Sequence, residues 1–143
     1  MINHSYIARS SDFLARHVSV HQEVFGFSLR KVLPIPFLFK KIDYAYLWSE
    51  SDEIHHELRR LIIEVQDNPL TLKRDNIFTI YLTALSESAS KLALLLKKLS
   101  QKSNGISKYE KSEYLSDLDS YELSQKKYSA LGVQLNEHLS KKI

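Results

Sequence analysis

With 143 residues the chain has the size of one ordinary domain, and 43% apolar against 26% charged residues exclude a chain that stays unfolded for want of a core. Three glycines and three prolines are too few for the turns of a β-rich or α/β fold, which points to an all-α domain. The lack of cysteine excludes disulfides, thiolate nucleophiles and cysteine-bound metals, and a net charge of +3 is too mild to imply nucleic acid by itself.

Residues 1–15 carry His4, Arg9 and Asp12 and no apolar run of the kind a signal peptide needs. No stretch approaches the roughly 18 uninterrupted apolar residues of a membrane span, so none is expected, and the cytoplasm is the expected compartment.

The first periodic segment covers about 11–33. Ser10, Ser11 or Asp12 can cap it, and Phe13, Leu14, Val18, Val20, Val24, Phe25, Phe27 and Leu29 share one broad helical face. Pro34 and Pro36 stop it. Residues 37–48 alternate like a strand at Ile42, Tyr44, Tyr46 and Trp48, yet Phe39, Ile42 and Tyr46 also fit a helical face. A lone strand has nothing to pair with, so helix is favoured. The polar run 49–52 reads as a break, with Ser49 or Ser51 capping a helix over about 52–66 whose core face is Ile54, Leu58, Leu61, Ile62 and Val65. Asn68 and Pro69 end that helix.

The clearest helix covers about 74–102. Phe78, Leu85, Leu92 and Leu99 recur every seven residues, with Thr79, Thr83, Ser86, Ser90, Lys97 and Gln101 expected on the opposite face. Ser103, Asn104 and Gly105 form a loop, and Gly105 suits a left-handed cap. A last helix over about 107–141 repeats Tyr114, Tyr121, Tyr128 and Leu135 at the same interval. Gly132 inside it implies a neighbouring helix passing close by. The spacing thus predicts a single bundle of four or five helices. Residues 10–69 supply the N-terminal helices, and residues 71–143 a long antiparallel helical hairpin, roughly 40 Å in length.

Most signatures of chemistry are missing. There is no phosphate-binding glycine loop, no G-x-S-x-G elbow and no complete H-E-x-x-H zinc motif. Glu53 and His56 match E-x-x-H once, where di-iron bundles use it twice; a solvated face shared with Glu57 and Arg60 explains the match better. His17 and His21, four apart on an apolar face, could form half of a metal site with His55 or Glu57 as a third ligand. Two partly buried imidazoles bonded to backbone or to a tyrosine are the commoner arrangement. No catalytic residue, metal ligand or cofactor is therefore assigned.

Three surfaces are candidates for partners. Phe37, Phe39, Tyr44, Tyr46 and Trp48 form a segment apolar nearly all round, and Tyr114, Tyr121 and Tyr128 form a ladder; tyrosine and tryptophan are enriched at interfaces. Core packing is the first expectation for the ladder. Lys97, Lys98, Lys102, Lys108 and Lys111 cluster at the hairpin tip, where they could attract nucleic-acid backbone without sequence preference. Every arginine lies at or before Arg74, which argues against base-specific readout by the hairpin.

The stretches at residues 56–60 and 81–85, His-Glu-Leu-Arg-Arg and Tyr-Leu-Thr-Ala-Leu, resemble the small four-helix bundles that accompany ribosomal RNA insertions and some reverse transcriptases. The resemblance covers a minority of the chain, lacks the Asn-Ile-Ala-Glu-Gly stretch of that group, and implies only the bundle. The expectation is a non-enzymatic interaction protein, an adaptor, chaperone or regulatory subunit, presenting a helix face to a protein partner or to a second copy as a homodimer. Nonspecific nucleic-acid binding is the alternative.

Overall fold

A computed structural model describes residues 4–26, 42–68 and 76–141. Among them the chain is all-α, with four helices: α1 (His4–Phe25), α2 (Tyr44–Asp67), α3 (Asn76–Ser103) and α4 (Lys111–Ser140). Phe27, Leu29, Pro34, Pro36, Phe37, Phe39 and Arg74 lie outside the described residues.

Side-chain pairings fix the relative directions. Arg9 meets Glu64 and Arg16 meets Glu50, so α1 and α2 are antiparallel. Ser51 reaches Ala89 and His55 reaches Ser86, which orients α2 against α3. Tyr81 faces Gly132, Glu87 meets Lys127 and Lys98 meets Asp117, so α4 descends beside α3. The result is an up-down-up-down arrangement.

Four boundaries differ from the sequence reading, one of them the end of α1, which falls at Phe25 rather than near residue 33. α1 begins at His4, so Ser10, Ser11 and Asp12 are interior rather than capping. Ser10 satisfies its hydroxyl on the carbonyl of Ile7 (2.8 Å), and the added first turns dock Tyr6 and Ile7 on the core, with the Tyr6 hydroxyl accepting from Asn68 (2.9 Å). Tertiary contact here outweighs the local capping preference. Residues 49–52 are no break: α2 runs through them, and Asp43, not a serine, caps it by accepting from the Tyr46 N–H (3.0 Å). The polar residues in the run are used between helices, because Ser51 is fully buried and donates to the Ala89 carbonyl at 2.9 Å while Glu50 accepts from Arg16. α4 starts at Lys111, several residues later than its spacing suggested.

α3 occupies the centre. Phe78, Leu82, Leu85, Leu92, Leu95 and Leu96 are essentially sealed. Thr79 and Ser86, expected on a solvent face, are buried too, because α2 covers that side. Gly105 closes α3 in the left-handed region at φ 71°. α1 packs on α2 and touches α3 more sparsely, and no Cα of α1 comes within 8 Å of one in α4. Val18, placed by its spacing on the core face, is 40% exposed.

Leu92→Ala removes a fully buried side chain and should cost about 2–5 kcal/mol in urea unfolding, whereas Ser129→Ala on the exposed face of α4 should stay within about 0.5 kcal/mol. A Cβ at Gly132 would sit 3.4 Å from the Tyr81 ring, an ordinary contact. Gly132→Ala should therefore stabilise the bundle by up to about 1 kcal/mol, the helix-propensity difference, read as a raised midpoint in the same unfolding experiment.

Candidate functional site

The most distinctive polar cluster lies where α1, α3 and α4 meet. His17 projects from the middle of α1 into the core and is 0% exposed. Its Nε2 is 3.2 Å from the Ser88 hydroxyl of α3, and its Nδ1 has no hydrogen-bond partner among the described residues. The rings of Tyr121 and Tyr128 stand edge-on to the imidazole, with centroids 6.2 and 5.7 Å away. Burial, and secondarily the charge of His21, lowers the His17 pKa to about 4, so the ring is neutral at physiological pH.

One turn later, His21 Nδ1 lies 2.9 Å from the Tyr121 hydroxyl and 3.2 Å from the Gln125 amide nitrogen. Both groups can donate, so Nδ1 is the acceptor and the neutral ring carries its proton on Nε2. Burial lowers the His21 pKa, and Glu122 opposes that shift. Burial raises Tyr121 well above the ordinary phenol range, with Tyr128 adding to the rise; Tyr128 itself is raised by burial. The phenols stay protonated, and the layer holds neutral hydrogen bonds between helices. His55 joins Ser86 on the α2–α3 side and Glu57 faces Arg16, so neither completes a metal site with the pair. Among the described residues no group of three or more histidine or carboxylate side chains could hold a metal ion.

The E-x-x-H residues also go to different partners. Glu53 lies 3.7 Å from Arg16, and His56 is 3.4 Å from Asp52. Arg16 gathers Glu50, Glu53 and Glu57 of α2 along one side of α1. This clasp is partly solvated and contributes modestly.

The aromatic candidates separate. Tyr121 and Tyr128 are buried, and Tyr114 is half-buried. Tyr44 and Trp48 are half-buried at the start of α2, while Tyr46 is 63% exposed. A cavity of about 370 Å³ opens at this end of the bundle, between Ile42, Tyr44 and Ala45 at the start of α2 and Ser100, Ser103 and Asn104 at the end of α3.

The lysines separate as well. Lys98 bonds to Glu113 (3.0 Å) and Asp117 (2.9 Å) and lies over the Tyr109 ring, whose hydroxyl donates to the same Asp117. Lys97 lies 5.8 Å from the Trp48 ring centroid. Lys102, Lys108 and Lys111 are exposed. Sequence reasoning passed over Ser88 and Tyr109; neither carries a local pattern, and only the three-dimensional partner reveals each.

No protein-family model, curated protein or solved structure matches the chain.

Tyr121→Phe removes the shorter of the two bonds to His21 Nδ1 while keeping the ring. It should cost about 0.5–1.5 kcal/mol in chemical unfolding, the usual net worth of one hydrogen bond. It should also move the His21 titration upward in proton NMR, since the lost donor favoured the neutral imidazole. An unchanged His21 titration would contradict the assigned tautomer.

Proposed function

We propose that this chain is a non-enzymatic helical-bundle interaction protein, an adaptor, chaperone or regulatory subunit of the cytoplasm. It meets a protein partner at the end of the bundle where α2 starts and α3 finishes. The carrying observation is the juxtaposition of the 370 Å³ cavity with the neighbouring exposed ring of Tyr46. A concave site beside a rigid aromatic is the arrangement that supplies binding energy at interfaces. In this reading α3 and α4 form a long antiparallel hairpin that acts as the rigid support. The polar clusters support the reading from the other side: Arg16, Lys98, His55 and Asp117 are engaged in joining helices.

A second copy of the chain is one form such a partner can take, since two-fold dimers are the commonest assemblies. The nucleic-acid reading rests on the exposed Lys102, Lys108 and Lys111. It is weakened because Lys98 is already neutralised by two carboxylates.

A photo-crosslinking residue placed at Tyr46 should form one defined adduct, and the same residue at Ser129 on the exposed face of α4 should form none. The adduct mass separates a homodimer from a different protein. Tyr46→Ala should leave unfolding within about 0.5 kcal/mol of wild type yet remove the adduct partner from pull-downs. Equal labelling from both positions would refute the proposed face. Retention on a random oligonucleotide that falls steeply with salt would favour the lysine tip instead.

A further inference from the structure

We propose that α1 is an acid-released arm: His17 docks it against α3 and α4 while the imidazole is neutral, and a proton on that ring frees it. This inference does not rest on the proposed partner face, which lies at another part of the bundle.

The geometry motivates it. A proton added to His17 would place a full charge at a sealed position whose Nδ1 has no acceptor. The groups facing the ring cannot compensate. α1 itself supplies His21, whose charge would add repulsion. α3 supplies the Ser88 hydroxyl. α4 supplies the neutral rings of Tyr121 and Tyr128, while Glu122 acts on His21. The carboxylates of α2, Glu50, Glu53 and Glu57, are turned to Arg16.

α1 is also the helix that can leave. Its backbone stays more than 8 Å from that of α4 at every Cα, and part of its hold on α2 comes from partly exposed ion pairs of Arg9 and Arg16. The α2–α3 and α3–α4 seams enclose the fully buried leucines and would persist without it.

The sign follows from linkage. A histidine lowered from 6.5 to about 4 in the docked state binds its proton more tightly once released. Docking is therefore at full strength above pH 6.5 and weakens as pH falls toward 4. Between neutral pH and pH 5 the released-to-docked ratio should rise about 20-fold from this one group. His21, also lowered, acts in the same direction at the same seam. His55 is lowered too, but on the α2–α3 seam.

The chain has no native cysteine, so Ser19→Cys on α1 and Ser129→Cys on α4, both exposed, can carry a pair of spin labels in the full-length protein. Pulsed electron resonance should give one short distance at pH 7.5 and a longer, broader population at pH 5.0, reversibly. His17→Phe should keep the short distance at pH 5.0, whereas His55→Gln should still open. An unchanged distance in the parent at pH 5.0, or equal opening in His17→Phe, overturns the proposal. If His17→Phe does not fold, NMR of the parent decides. A His17 midpoint near 6.5 overturns the proposal. A strongly lowered midpoint, with α1 amides losing protection over the same pH range, supports it.

Discussion

Three helices compete for the surface of α3, and the size of its side chains decides how close each can come. Toward α2 it presents Ser86, Ala89 and Ala93, all buried. Small residues let two backbones approach, and the bond from the Ser51 hydroxyl to the Ala89 carbonyl, 2.9 Å long, requires that approach. Toward α4 the fit is inverted. α3 supplies the large Tyr81 ring, which lies over Gly132 of α4 at a distance that would still admit a methyl group. Toward α1 there is neither arrangement. His17 reaches inward to Ser88, and rings from α1 and α4 fill the distance between their backbones.

Buried polar atoms then fix the register that apolar packing leaves loose. Leucines at seven-residue intervals fit almost as well after a slide of one heptad. Ser51 does not, because a slide would put Leu82 or Leu96 where Ala89 lets the two backbones approach for the Ser51 bond. Overpacking of that kind costs typically about 1–3 kcal/mol, which penalises the shifted arrangement. Lys98 does the same for α3 and α4 in a more solvated setting, choosing Glu113 and Asp117 among the acidic residues of α4.

The parts legible in the sequence are those whose pattern is local. Phe78, Leu85 and Leu92 recur on one stripe, and α3 lies within two residues of the span their spacing predicts. Gly105 announced its left-handed turn for the same reason. The misread parts are those where a distant partner changes the meaning of a residue. Ser49 to Asp52 looked like a helix start because serine and aspartate cap helices; Ser51 instead serves α3 and Glu50 serves α1. Thr79 and Ser86 looked solvent-facing because they are polar, although α2 covers their side of α3 and the solvent face of that helix runs instead along Ile80, Thr83, Glu87 and Leu94. The histidine pair was readable as two partly buried imidazoles. Their partners were not, since Ser88 and Tyr121 lie 71 and 100 positions away along the chain.

The seams differ in kind, and that difference divides the bundle mechanically. The α2–α3 seam is joined by small residues and by the buried Ser51–Ala89 bond, which carries no titratable group, and the half-buried His55 is the one acid-sensitive group described there. The α1–α2 rim is joined by the Arg9 and Arg16 ion pairs, which salt screens. The α1–α4 seam is joined by aromatic rings around two histidines, which acid charges. Two seams that respond to solution conditions both belong to α1. Cooperative folding ties the bundle together when all are intact, and an opening at α1 breaks both responsive seams together with the apolar contacts of Tyr6, Ile7, Phe13 and Val20. That opening detaches α1 and uncovers Tyr121, Tyr128 and the flank of α3 around Ser88, while α2, α3 and α4 keep their shared leucine core.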